Sequence, residues 1–280
     1  MKNYIGACIT SFYLVAYFIL GPWSNDIDLS ICGFLLLAIG IPHGAGDHLI
    51  AAKIAKRENL TFHLRPFVVY YLGIMLAYAA LWLVSPLLAF VIFIAISVFH
   101  FGDMEDVQPV ESHKTWINLV QTLCLGAGIL SFLLVSHWEE AYDIISSMQV
   151  NVPKHLPPLS LVVSHLLLIL GFQKKNSHPF FNTFLTLWIG FFLPLIPAFI
   201  CYFACCHAIT SFEGMRKHLE LKILELYKKL IPFSIGALLL GLTYIFLVTS
   251  DLQTYPVFIF LSLLTSPHFL LMHKLIKRPF

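Results

Sequence analysis

The sequence predicts an all-α polytopic membrane protein: one transmembrane helical bundle of about ten spans with both termini cytoplasmic. Three observations carry this. Of 280 residues, 59% are hydrophobic and 11% charged, with a mean hydropathy of +0.83. Soluble domains are about a quarter charged, so there are too few polar residues here to cover a water-facing surface. The apolar residues also fall into runs close to the roughly 20 residues that a helix needs to cross a hydrocarbon core. Finally, Lys and Arg collect on one side of those runs. A net charge of +2 offers no basic face for phosphates, and nucleic acid is excluded as a partner.

The first run, 4–21, is read as a retained span. It has no cationic segment beyond Lys2 and no small-residue cleavage site. Further spans are expected at 28–46, 66–84, 86–103, 115–136, 157–172, 179–193, 194–212, 231–249 and 256–275. The stretch from Phe180 to Ile209 could form one long bent helix, but Pro194 and Pro197 argue for dividing it, since an interior proline removes a backbone hydrogen bond. With the N-terminus inside, sixteen of the seventeen Lys and Arg residues fall in cytoplasmic segments, Lys154 being the exception. Merging spans seven and eight would spoil that pattern.

The longest connections, 47–65, 137–156 and 213–230, are too short for a second domain. Residues 1–280 are therefore read as a single integral-membrane domain, multi-pass in the cell membrane. Met215, Leu219, Ile223, Leu226 and Leu230 recur at helical spacing among cations. They predict either an amphipathic helix on the inner leaflet or a solvated linker helix. All six cysteines lie inside apolar runs and read as small buried hydrophobes, with a thiolate site at Cys201, Cys205 and Cys206 as the other reading.

With these boundaries every Asp, Glu, Lys and Arg falls in a loop or at a span edge. The ionisable residues left inside the spans are essentially His43, His100, His165, His207 and His268. Ionisable groups at that depth mark functional sites. His43, His100, His207 and His268 all lie on even-numbered spans, near the cytoplasmic end, at depths within about one helical turn. His165 sits more centrally. Neutral imidazole binds Fe, Zn, Cu and Ni, and four such ligands would leave Fe(II) with open positions.

The local sequences add detail. Pro42 precedes His43 and small residues follow it; Phe99-His100-Phe101-Gly102-Asp103 ends span four; Pro267-His268 repeats the Pro-His pair. Asp47 and Asp103 are candidate acceptors for imidazole N–H groups or, equally, interfacial caps. Aromatic Phe99, Phe101, Tyr202, Phe203, Phe212 and Phe269 flank the histidines. Such walls suit a long, flat, conjugated hydrocarbon.

At these residues the sequence resembles the Brp/Blh family of membrane β-carotene 15,15′-dioxygenases, the retinal-forming proteins linked to microbial rhodopsins. The matching elements are PHGAGDH at 42–48, HFGDMED at 100–106, YFACCH at 202–207 and SPH at 266–268, in the family's order and spacing over nearly the whole chain. The resemblance implies O₂-dependent cleavage of the central double bond of β-carotene into two all-trans-retinal molecules at a His-bound Fe(II). It also makes a retinal-binding rhodopsin a candidate partner. His43, His100 and His207 match the family's iron-ligand positions. Some members carry H-x-x-x-H at the third, where this chain has His207-Ala-Ile-Thr-Ser211. That leaves His268, favoured on depth, or next His48 as the fourth ligand, with Ser211 beside the metal.

Two other enzymatic or redox classes compete. A membrane di-iron desaturase or hydroxylase would need His-x-x-His-His clusters, which the chain lacks. A bis-His haem electron carrier would use two of the layered histidines as axial ligands. A proton-relaying transporter is weakened by the expected lack of a buried carboxylate.

Overall fold

The computed structural model describes residues 4–20, 25–105, 116–172, 177–248 and 255–277. Among them all regular structure is helical. In chain order the helices are α1 (Ile5–Leu20), α2 (Asn25–Leu35), α3 (Ile41–Ala45), α4 (Asp47–Arg57), α5 (Leu64–Val84), α6 (Pro86–Glu105), α7 (Trp116–Ser136), α8 (Trp138–Ser147), α9 (Leu159–Leu170), α10 (Ser177–Gly190), α11 (Leu195–Tyr202), α12 (Ile209–Leu219), α13 (Ile223–Val248) and α14 (Tyr255–Lys277). Two π-helical segments interrupt them: Leu36–Gly40 joins α2 to α3, and Phe203–Ala208 joins α11 to α12.

Each of the ten expected spans falls on a helix or a run of joined helices. Six stretches are long and apolar enough to cross a membrane: Ser30–Arg57, Leu64–Val84, Trp116–Ser136, Leu195–Leu219, Ile223–Leu247 and Tyr255–Met272. Ile5–Ile19, Pro86–Gly102 and Leu159–Leu170 are apolar but shorter. Leu83 and Phe246 are more than four-fifths exposed, and large apolar side chains displayed in that way belong against lipid. The chain is a helical membrane protein.

The division at Pro194 holds. α10 ends at Gly190, and Pro194 caps α11 in an extended conformation. The Leu195 N–H, which has no intrahelical partner, donates to Glu140 Oε2 at 3.0 Å. Pro197 sits in the first turn of α11, where its missing N–H costs nothing.

Two expectations need correction. The connection 47–65 is not a loop throughout, because α4 carries the helix on to Arg57 before a left-handed Asn59 at φ 57°. The segment 213–230 is not one surface helix. α12 stops at Leu219, Glu220 turns the chain at φ 56°, and α13 begins at Ile223. Met215, Leu226 and Leu230 are buried, so their spacing reflects packing within the protein rather than on a leaflet. Gly46 makes that packing tight: a Cβ there would lie 2.2 Å from Met215 Sδ.

Contacts divide the chain into two compact units. The first comprises Met1–Gly40, Val98–Asp143 and Pro153–Phe212. In it α1 packs on α10 and α11, α7 packs on α9, and the two π-helical segments meet. Asn182 Oδ1 accepts from the Ala7 N–H at 3.1 Å, satisfying an orphan donor in the first turn of α1. The end of α6 lies directly on α7. A Cβ at Gly126 would be 1.8 Å from Val98 O, and one at Gly102 would be 2.1 Å from Thr122 O. Small residues permit backbone approach of this kind between membrane helices. Here they fix the turn that carries His100.

The second unit comprises Ile41–Ser97, Ile144–Val152 and Glu213–Phe280. α13 packs on α3, and α14 packs on α4, α5 and α13. The indole N–H of Trp82 donates to Ser262 Oγ at 2.9 Å and ties α5 to α14.

Candidate metal centre

His43, His100, His207 and His268 form two pairs, one in each unit, and all four are buried, with exposures of 1–6%. In the first unit His100 lies on α6 and His207 in the π-helical segment Phe203–Ala208. Their Nε2 atoms are 3.1 Å apart and their ring centroids 4.8 Å. That Nε2 spacing is a hydrogen-bond distance, and it places two imidazole nitrogens where both could hold one metal ion. The extra residue per turn in a π segment re-aims a side chain and is frequent at functional sites.

Aromatic faces surround this pair. Phe101 lies edge-to-face with His207 at 5.0 Å and with Tyr202 at 5.5 Å, and Phe203 stacks on His207 at 5.7 Å and 20°. Of the predicted wall residues, Phe101 and Phe203 are thus brought to His207, and Tyr202 to Phe101. Phe212 and Ser211 are buried in the turn beyond it, and Phe99 is half-buried beside His100. Cys206 Sγ interacts with Asn182 Nδ2 and Thr186 Oγ1, each at 3.3 Å, which engages that thiol in helix packing.

In the second unit His43 on α3 and His268 on α14 lie edge-to-face, with centroids 5.3 Å apart at 87°. Asp47 orients His268. Its Oδ1 is 2.7 Å from His268 Nδ1, and its Oδ2 accepts from Tyr71 Oη at 2.8 Å. The contact engages Nδ1 and leaves Nε2 as the nitrogen turned away from Asp47. Metal-binding histidines are commonly oriented in this way. Asp47 is 3% exposed, which overturns the expectation of no buried carboxylate; its two donors make that burial tolerable. Phe269, next to His268, is half-buried.

The remaining candidates are placed elsewhere. His48 donates from Nδ1 to Ala45 O at 3.0 Å and stacks on Phe233 at 3.9 Å. His165 bonds Leu161 O on its own helix and packs edge-on to Phe132 and Trp188. The side chain of Asp103 lies outside the described residues.

Sequence reasoning missed two residues. Tyr71 sits in an apolar run, where a tyrosine reads as an interface aromatic, and only the fold joins it to Asp47. Buried His137 has its two ring nitrogens 2.9 Å from Leu133 O and 2.8 Å from Leu193 O, bridging α7 to the turn before α11.

These pieces offer buried imidazoles, one oriented by a carboxylate, among aromatic walls. That donor set fits a borderline transition metal such as Fe(II). A sequence profile described as beta-carotene 15,15′-dioxygenase matches residues 34–276. The chain belongs to the β-carotene 15,15′-dioxygenase family. All four histidines, Asp47 and Tyr71 lie within the matched region, whereas α1 precedes it. One curated relative, the beta-carotene 15,15′-dioxygenase of an uncultured marine bacterium, 66A03, is 24% identical over 252 residues, covering 85% of this chain and 90% of the relative. No solved structure matches.

Proposed function

We propose that this chain is a β-carotene 15,15′-dioxygenase that uses O₂ to cleave the central double bond of β-carotene into two all-trans-retinal molecules. His43, His100, His207 and His268 are the residues that would hold one Fe(II). The observation that carries this reading is the burial of four imidazoles in two close pairs, with His268 oriented by Asp47, in a chain of this family. When bound, the iron supplies the electrons that activate O₂. The overall reaction balances without a further reductant: one C=C and one O–O bond break, and two C=O bonds form.

The chain's own residues position and shield. Asp47, held by Tyr71, keeps His268 in one tautomer and one orientation. Phe99, Phe101, Tyr202, Phe203, Phe212 and Phe269 exclude water and flank the polyene, whose many similar double bonds make regiochemistry a matter of placement. No side chain needs to move a proton. Ser211, buried in the turn beyond His207, supports that ligand. Ten spans with both ends cytoplasmic would put the histidine layer near the inner face of the cell membrane, with carotene arriving from lipid and retinal passing to a rhodopsin.

The test is expression in cells that accumulate β-carotene. Loss of orange colour with retinal appearing is expected, and unchanged carotene under aerobic, iron-replete conditions would overturn the reading. Reporter fusions at each connection check the ten-span topology.

A further inference from the structure

The second unit contains a cavity of about 610 Å³ between the end of α4, residues 58–63, the start of α5, and α14. That volume is within the ~300–1,000 Å³ range of sites for drug-sized ligands, and half a carotenoid has twenty carbons. The cavity abuts the support of His268. Pro267, in its wall, immediately precedes His268, and Tyr71, also in its wall, donates to Asp47.

Its walls are aromatic and graded. Phe67 lies 5.6 Å from Phe62 and 5.7 Å from Tyr71, giving an unbroken run of rings along one side. Arg57, Thr61 and His63 line its far end, beyond the helices, where an interface with water is expected. Exposed Leu270 and Tyr70 lie on its outer margin, giving a hydrocarbon access from the lipid side. Flat ring faces suit a conjugated chain better than a saturated acyl chain. Ala51 and Ala55, one turn apart on α4, set the width.

We propose that this cavity is the subsite for one half of the carotenoid, its end ring and adjoining polyene, with Tyr71 as the inner wall. The inference rests on the function proposed above and adds where the substrate's end group is selected: by Ala51, Ala55 and Leu270.

The test uses the full-length, iron-loaded protein in nanodiscs. Anaerobic binding of β-carotene is followed by its absorbance shift, and aerobic cleavage is measured separately. Ala51→Phe and Ala55→Phe are expected to weaken binding at least tenfold with iron content unchanged. Leu270→Ala, which enlarges the cavity, is expected to raise at least threefold the cleavage of carotenoids with hydroxylated rings relative to β-carotene. If the unaltered protein binds and cleaves β-carotene while the Phe variants behave identically to it, the subsite assignment is wrong and the function stands. If the unaltered protein neither binds nor cleaves, the function falls and takes this inference with it. Should the Phe variants fail to fold, an unchanged preference in Leu270→Ala overturns the assignment. A phospholipid chain crosslinked in the cavity and not displaced by β-carotene would do the same.

Discussion

The two histidine pairs are oriented by different physics. Around His207 the contacts are aromatic: Phe101 edge-on, Phe203 stacked, on a π-helical turn beside the glycine-tight junction that carries His100. Around His268 the support is a polar chain across three helices, from Tyr71 on α5 through Asp47 on α4 to His268 on α14. Packing fixes the plane of a ring but leaves open which nitrogen holds the proton. A carboxylate fixes both. The first pair should therefore respond to substitution through rigidity and dryness, the second through metal affinity.

That contrast can be broken by experiment. The largest effect is shared: single replacement of His43, His100, His207 or His268 by Ala should reduce retinal formation to background and lower bound iron, measured by metal analysis of the purified protein. Intact iron in His268→Ala would remove it from the ligand set. Next, Asp47→Ala should cost about 10–100-fold in metal affinity or activity, and leaving the Tyr71 hydroxyl unpaired should cost about 1–3 kcal/mol of stability. Phe101→Leu and Phe203→Leu should cost about 0.5–1.5 kcal/mol each beyond their lost area, with activity changed less than tenfold and iron content kept. If these aromatic variants release iron as readily as Asp47→Ala does, the distinction fails.

The pattern of what was legible in the sequence has the same root. Hydropathy depends on local composition, so the all-helical class and the break at Pro194 could be read directly. The four histidines stood out because an ionisable group inside an apolar run is costly wherever it points. Asp47 was seen as a candidate acceptor but placed at a membrane edge, because its burial depends on donors 24 and 221 residues away. Tyr71 left no signal at all, being one tyrosine among 11. The chain from Met215 to Leu230 misled for a related reason: helical spacing reports an apolar face, not what covers it, and here Gly46 admits Met215 beneath.

The smallest expected effect gives the sharpest separation. Tyr71→Phe keeps the ring that lines the cavity and removes only the hydroxyl on Asp47. Hydrogen bonds to charged groups are worth about 1.5–3 kcal/mol, but Asp47 retains His268 as a donor, so a loss of several-fold is expected. It should fall on kcat and on iron retention, with KM for β-carotene unchanged, whereas narrowing the cavity should raise KM and spare iron. In a double-mutant cycle Tyr71→Phe and Asp47→Ala should be strongly non-additive, because the hydroxyl acts only through the carboxylate. Additive losses would show that Tyr71 works through the cavity wall alone, and the polar chain would then end at Asp47.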